Sequence, residues 1–195
     1  MRKVYFMVIA ALLLGCLVSM SSFADGNMLR VRAAGQFAGN QSFTAVTTAN
    51  FAVSTGFSMG AEGLIGITRN FQLGAGLEYQ LGRTITASGV TGTFEFLPIY
   101  GVVRVPFDIG SVQPYLVGRI GYGLWSGDTA YAGGISLNGG LFYAGGGGVD
   151  FRFGNLAVFG EAAYSVNNGS YTSLGVNVDT SYTRLDVSAG LSISL

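Results

Sequence analysis

The sequence predicts an all-β protein, an eight-stranded antiparallel up-and-down transmembrane β-barrel. Apolar residues alternate in steps of two with small or charged residues in eight separate segments of the chain. The chain is 49% hydrophobic and only 10% charged, yet beyond the N-terminus it lacks the roughly 20 consecutive apolar residues of a membrane helix. A closed barrel needs this alternation because lipid contacts its outer face while its interior can be polar.

Residues 1–24 have the features of a signal peptide. Arg2 and Lys3 form a basic start, residues 4–18 form a short apolar run, and Ala24 ends a segment with small residues where a signal peptidase reads them. We expect cleavage after Ala24. This division leaves residues 25–195 as the outer-membrane β-barrel domain.

Cys16 leaves an alternative open. The segment Leu13-Leu14-Gly15-Cys16 resembles a lipoprotein signal, in which Cys16 would carry the lipid. Cleavage after Ala24 instead removes this single cysteine, so the mature protein would not rely on disulfides.

The charge of the mature chain excludes one class of partner. Removing Arg2 and Lys3 from the ten basic residues leaves eight against ten acidic residues, a net charge of −2. This balance gives no reason to expect nucleic acid as a partner.

The alternation places the strands at about residues 28–38, 55–68, 71–81, 92–107, 112–125, 139–153, 156–166 and 184–195. In the last strand, Leu185 and Val187 lie on one face, and Arg184 and Asp186 lie on the other. In the fourth strand, the alternation places Glu95 and Arg104 on opposite faces. A bulge near Pro98 would bring both charges inward, since proline cannot donate to the ladder.

The connections differ at the two ends of the predicted barrel. Those after the second, fourth and sixth strands take about two to four residues, and the other four run to about ten to sixteen. Outer-membrane barrels place short turns in the periplasm and long loops outside. We therefore expect both termini in the periplasm.

Two outward aromatic bands fit this orientation, because amphipathic rings favour the headgroup level of a membrane. We expect one band near the loop ends and the other near the turn ends; the first contains Phe57, Tyr79, Tyr122, Tyr143 and Tyr164, and the second contains Phe71, Phe151 and Phe153.

Several stretches resemble the OmpA/OmpX-like outer-membrane β-barrel family, here without a peptidoglycan-binding domain: QLGAGLEY at 72–79, QPYLVGRIGYG at 113–123, YAGGGGVDFRF at 143–153 and LDVSAGLSISL at 185–195. The resemblance implies residence in the outer membrane of a Gram-negative-type bacterium. It also implies contact with outer-membrane lipid and lipopolysaccharide, and assembly by the barrel-assembly machinery. One departure is Leu195, since such chains usually end on an aromatic residue.

The chain has no histidine, so we expect no Ser-His or Cys-His catalytic pair, no enzyme activity, no metal site and no cofactor. Carboxylate pairs remain as an alternative, but the acids predicted to point inward are matched by arginines. Because an unpaired charge in a narrow interior is costly, we expect a structural network of salt bridges rather than a general acid/base pair. Its predicted members are Arg30, Arg32, Glu62, Glu78, Arg119, Asp150, Arg152, Glu161, Arg184 and Asp186.

These features predict a non-enzymatic barrel that supports the membrane and presents surface loops, which would contact an extracellular ligand. The alternative is a small channel or carrier for a small solute, although about eight strands leave an interior only wide enough for side chains. A soluble lipocalin-like barrel is a third hypothesis. Such a barrel needs an apolar interior, and the charged face and the apolar face of these strands cannot both form that interior.

Overall fold

The chain folds into a single closed β-sheet in the computed structural model, which describes residues 26–44, 48–87, 90–127, 138–173 and 176–195. The predicted signal peptide, with Cys16, lies outside the described residues. The strands are β1 (Met28–Thr44), β2 (Thr48–Val53), β3 (Gly56–Thr68), β4 (Phe71–Gln80), β5 (Arg83–Ala87), β6 (Val90–Pro106), β7 (Val112–Gly127), β8 (Gly140–Phe153), β9 (Leu156–Ser173) and β10 (Val176–Ser194).

The ten strands make eight passes, because two of the passes are interrupted. β1 pairs with β3 along its first half and with β2 along its second half. In the same way, β6 pairs first with β5 and then with β4. The breaks lie at residues 54–55 and 81–82. The prediction of a closed eight-stranded antiparallel barrel is confirmed.

The first and last strands close the barrel. β1 and β10 pair from Met28 opposite Ser194 to Thr44 opposite Asp179. The backbone N–H of Leu195 also donates to the carbonyl oxygen of Asn27 at 2.9 Å. This closure leaves the spanning part of the sheet without an unpaired edge, as a membrane requires.

An apolar belt surrounds the outside of the barrel. Its side chains belong to the outward file of each pass and are exposed in the isolated chain; Phe57 is 67% exposed and Ile120 is 63% exposed. The predicted outward aromatic residues are exposed as well, apart from Phe71, which is half-buried. No helix in the described ranges is long and apolar enough to cross a membrane.

The two ends of the barrel have different connections. At one end, called here the turn end, lie the turns at 69–70, 107–111 and 154–155 and the start of β1, as the sequence predicts. At the other end, called here the hairpin end, three of the four predicted long loops are wrong. The strands instead continue and leave only residues 45–47, 88–89 and 174–175 between them; the fourth loop, at 128–137, lies outside the described residues.

The predicted bulge near Pro98 is also wrong. β6 and β7 pair without a shift from Phe94 to Pro106, so Arg104 points inward and Glu95 points outward. Pro98 lies in a stretch of β6, residues 95–98, that lacks a ladder partner on one side, between the pairs with β5 and the pairs with β4. Register shifts lie elsewhere in the described strands. One is in β1, where Ala38 has a φ of 49° and the pairing with β10 shifts, and another is in β3 between Gly66 and Thr68.

We expect the substitution Ile120→Arg to lower the free energy of unfolding from lipid vesicles by about 2–4 kcal/mol, because it places a charge in the apolar belt. Urea titration of the protein in vesicles measures this loss. Ile109→Arg is the matched control, because Ile109 is 68% exposed but lies in a turn outside the belt. Equal losses in the two variants would contradict a lipid-facing belt at Ile120.

Candidate functional site: the charged interior

The interior of the barrel contains buried charged side chains from all eight passes. Among the described residues, six arginines and five carboxylates are buried there: Arg30, Arg32, Arg83, Arg104, Arg119, Arg184, Glu62, Glu78, Asp150, Glu161 and Asp186. Nine of the ten residues predicted from the sequence belong to this set. The strand period of two explains their placement, because it directs alternate side chains to the same face.

Four residues form the centre of the network. The Nε of Arg119 donates to Oε1 of Glu62 at 2.7 Å, and its Nη2 lies 2.8 Å from Oε1 of Glu161. Arg30 lies between the same two carboxylates, with its Nη1 3.5 Å from Glu62 Oε2 and 3.6 Å from Glu161 Oε2. Each of these carboxylates is therefore shared by more than one arginine.

Two tyrosines connect to this centre. The Tyr100 hydroxyl donates to Glu62 Oε1 at 3.0 Å, and the Tyr115 hydroxyl donates to Glu161 Oε2 at 3.0 Å. Tyr115 also accepts a hydrogen bond of 2.6 Å from Nη2 of Arg30. The hydroxyls supply hydrogen bonds that buried carboxylates need in addition to a counter-charge.

The network continues toward the turn end through Arg104. Its guanidinium pairs with Asp150 and donates to Oε1 of Gln72 at 2.6 Å. The sequence analysis required a bulge in β6 to turn both Glu95 and Arg104 inward. In the structure β6 has no bulge against β7, and Arg104 points inward without one.

Toward the hairpin end, Glu78 and Asp186 are the two acceptors. Glu78 pairs with Arg32 and also accepts a 3.0 Å hydrogen bond from Arg184. The Nε of Arg184 donates to Asp186 at 2.6 Å, and the Ser165 hydroxyl donates to the same carboxylate at 2.5 Å.

Arg152 differs from the other predicted members. Its side chain is only half-buried, lies 3.7 Å from the exposed carboxylate of Asp108 and donates to Gln113. It is one residue from the end of β8, at the rim of the turn end. The inward parity of Arg152 is correct, but it is too close to the rim to join the buried set.

Sequence reasoning missed an aromatic layer, defined here as Phe94, Phe96, Trp125 and Tyr182, which closes the interior toward the hairpin end. The Phe94 and Trp125 rings stack with centroids 5.6 Å apart, and the Tyr182 ring meets Phe94 edge-on at 5.4 Å. All four side chains are buried. The four residues occupy inward positions in the alternation of their strands, and this feature of the sequence could have predicted the layer.

Glycine makes room for these large side chains. A Cβ on Gly76 would lie 2.8 Å from Cγ of Glu62 and 2.8 Å from Cε2 of Tyr100. Any larger residue at this position would displace the central network, so the interior has little free space at this height.

The arrangement favours ion pairing over acid/base chemistry. Each of the five buried carboxylates has at least one arginine nitrogen within 4.0 Å. A general acid/base pair needs a carboxylate free to exchange a proton, and an arginine partner opposes protonation. In the described part of the chain, no group of three or more acidic, histidine or cysteine residues could hold a metal ion.

Comparison with known proteins shows the fold. No protein-family model matches the sequence, and no curated protein matches it. Neisserial surface protein A matches with a TM-score of 0.52 and 15% identity over 88% of this chain and 100% of that chain. The chain therefore has the fold of small eight-stranded outer-membrane barrels.

Two further solved structures match less closely. The N-terminal barrel domain of Pseudomonas aeruginosa OprF has a TM-score of 0.42 and 12% identity, over 88% of this chain and 100% of that chain. Ail, the attachment invasion locus protein of Yersinia pestis, has a TM-score of 0.40 and 13% identity, over 85% of this chain and 99% of that chain.

We expect Glu62→Gln to lower the free energy of unfolding by about 3–5 kcal/mol, because it leaves Arg30 and Arg119 with one fewer counter-charge in a buried site. Urea titration in vesicles measures the loss. Asp108→Asn is the matched control and should cost at most about 1 kcal/mol, since its pair with Arg152 is exposed. A loss as small for Glu62→Gln as for the control would remove the network as a source of stability.

Proposed function

We propose that this protein is a non-enzymatic barrel of the bacterial outer membrane, of the OmpA/OmpX-like kind, that supports the envelope and presents its hairpins at the cell surface. The observation that carries the proposal is the filled interior. Arginine-carboxylate pairs occupy its middle, and the aromatic layer lies above them. An interior of this kind supports a structural role over transport.

The proposed orientation follows from the two ends of the barrel. Short turns and both ends of the spanning sheet lie together, and in outer-membrane barrels this is the periplasmic end. The hairpins then project outside. This orientation brings the apolar belt into contact with outer-membrane lipid and the base of the hairpins into contact with lipopolysaccharide, and the barrel-assembly machinery would insert the chain.

The absence of enzyme activity is part of the proposal. The sequence has no histidine, and the buried carboxylates are paired with arginines. The proposal also gives the ten predicted charged residues a structural role. The nine buried residues would hold the strands together through ion pairs, and Arg152 would stabilise the rim of the barrel.

We expect the purified protein to show no stepwise conductance in a planar lipid bilayer, because charged and aromatic side chains fill the interior. A general porin added afterwards to the same bilayer shows that the membrane accepts barrels. Reproducible conductance steps from this protein would favour the alternative function, a small channel for a solute.

The β9–β10 hairpin is the surface that we propose for an extracellular ligand. Ser170 pairs with Asp179, and one pair below them Gly169 faces Thr180, so the hairpin can be shortened without changing the register. Replacing residues 170–179 with Asn-Gly, a two-residue hairpin turn, keeps the rest of the ladder.

We expect bacteria that display this shortened protein to lose adhesion to cultured epithelial cells, down to the level of bacteria without the protein. The matched control shortens another hairpin by replacing residues 85–92 with Asn-Gly between the Thr84–Thr93 pair. A gel mobility difference between unboiled and boiled samples checks that each barrel is folded. Full adhesion with a folded, shortened β9–β10 hairpin would exclude this hairpin as the contact surface.

A further inference from the structure

A polar groove lies on the outer wall of the barrel, at the base of the β9–β10 hairpin. It has a volume of about 310 Å³ and crosses three neighbouring strands, β9, β10 and β1. Outward side chains of these strands line the groove: Ser42, Thr44, Asn168, Asp179 and Ser181. The groove therefore belongs in part to the hairpin that we propose as the contact surface.

The strand register explains the shape of the groove. Ser42 and Asn168 both lie opposite Ser181, so these side chains form one row across the three strands. In the next row toward the hairpin tip, Thr44 faces Asp179. Because serine side chains are small, the first row forms a depression, and its lining consists of hydroxyl, amide and carboxylate groups.

The strands beneath the groove are held from the inner side of the sheet. Nε2 of Gln41 donates to Oγ1 of Thr180 at 2.9 Å, which joins β1 to β10. Nε1 of Trp125, in the aromatic layer, donates to the carbonyl oxygen of Asn168 at 3.1 Å. A groove on strands fixed in this way is preformed, so a ligand has less backbone to order when it binds.

The groove offers both donors and acceptors. The Ser42 hydroxyl donates to the carbonyl oxygen of Ser181 at 3.2 Å, so its own oxygen is left to accept. The Asn168 amide both donates and accepts, and the Asp179 carboxylate accepts. No ion pair among the described residues includes Asp179. Neighbouring hydroxyls of a sugar match this mixture, because each of them donates and accepts.

A peptide fits the groove less well than a sugar. An extended peptide binds by adding a strand to a free sheet edge and by placing side chains in pockets. β10, at the centre of the groove, already pairs with β9 on one side and with β1 on the other, so it has no free edge. The lining side chains are polar and form no apolar pocket.

The charge of the hairpin end excludes anionic sugars. The sequence has no lysine after Lys3, and six of its later arginines are buried inside the barrel. The other two, Arg69 and Arg152, lie at the turn end. Sulfated, phosphorylated and sialylated glycans need cationic side chains as partners. Asp179, the charged residue of the groove, would repel them.

We propose that this groove binds an uncharged sugar unit of a glycan on the surface that the cell contacts. Asn168, Asp179 and the oxygen of Ser42 hold the sugar hydroxyls. This role rests on the proposed function, in which the β9–β10 hairpin is the contact surface, and it gives the ligand of that hairpin a chemical class.

The test uses the purified, folded protein on an array of uncharged, sialylated and sulfated oligosaccharides. We expect binding to uncharged members. The Kd for the best of them should stay the same from about 50 to about 500 mM NaCl, because no ion pair forms with the ligand. Binding to none of the array, or only to its charged members, overturns the proposal.

Two substitutions locate the site. Ser181→Phe fills the depression, and we expect it to raise the Kd at least tenfold. Asp179→Ala removes an exposed acceptor without a large side chain, and it should also weaken binding if Ser181→Phe does not fold. Ser126→Phe is the matched control, because Ser126 is exposed on β7, opposite Glu95 and away from the groove. An unchanged Kd in the folded groove variants overturns the proposal.

Adhesion separates this proposal from the surface role itself. We expect the free uncharged oligosaccharide to block adhesion of bacteria that display the protein. Adhesion that continues in its presence overturns the sugar as the ligand. The hairpin stays the contact surface in that case if its shortening still abolishes adhesion.

Discussion

The absence of water in the hydrocarbon part of a bilayer is the constraint on which the rest of this structure depends. Every backbone N–H and C=O at that depth must bond within the protein, and a sheet achieves this only by closing on itself. The β1–β10 ladder provides the closure. Once the sheet is closed, one face of each strand meets lipid and the other faces the interior, so charged residues of the spanning part belong inside.

The narrow interior then determines how those charges are arranged. Buried charges require partners, and in a closed sheet the partners come from distant parts of the sequence. Arg32 and Glu161 are 129 residues apart, and Arg184 and Glu78 are 106 apart. A slip of one residue in any of these strands would move its charges into lipid. We infer that the same ion pairs that neutralise the interior also fix the register of the barrel.

The sequence predicted the spanning part well because lipid imposes a strict period of two there. Beyond the strand segments that contact lipid, the prediction failed. Beyond the belt the outer face of a strand meets water instead of lipid, so the β9 and β10 extensions, which are rich in Ser, Thr and Asn, resemble loops in the sequence. In β1, the bulge at Ala38 shifts the parity, and the pattern therefore stopped at residue 38 although the strand continues to Thr44.

The interior shows a similar division. Nine of the predicted charged residues were found because each lies in a clearly alternating segment. Arg83 was missed because it follows the break at 81–82 and lies in a segment that reads as a loop. The aromatic layer was missed for another reason. Aromatic residues in a barrel suggest a lipid-facing band, whereas Phe94, Phe96, Trp125 and Tyr182 have the opposite parity and pack on one another inside.

These properties locate the part of the protein that best tolerates substitution. The belt must stay apolar, and a change in the central network leaves a buried charge without its partner, so neither region tolerates new polar chemistry at low cost. The hairpins are free of both constraints, because their side chains meet water on the outside and carry few of the buried contacts. Selection for a new surface contact can therefore act on the hairpins without disturbing the network that holds the barrel together.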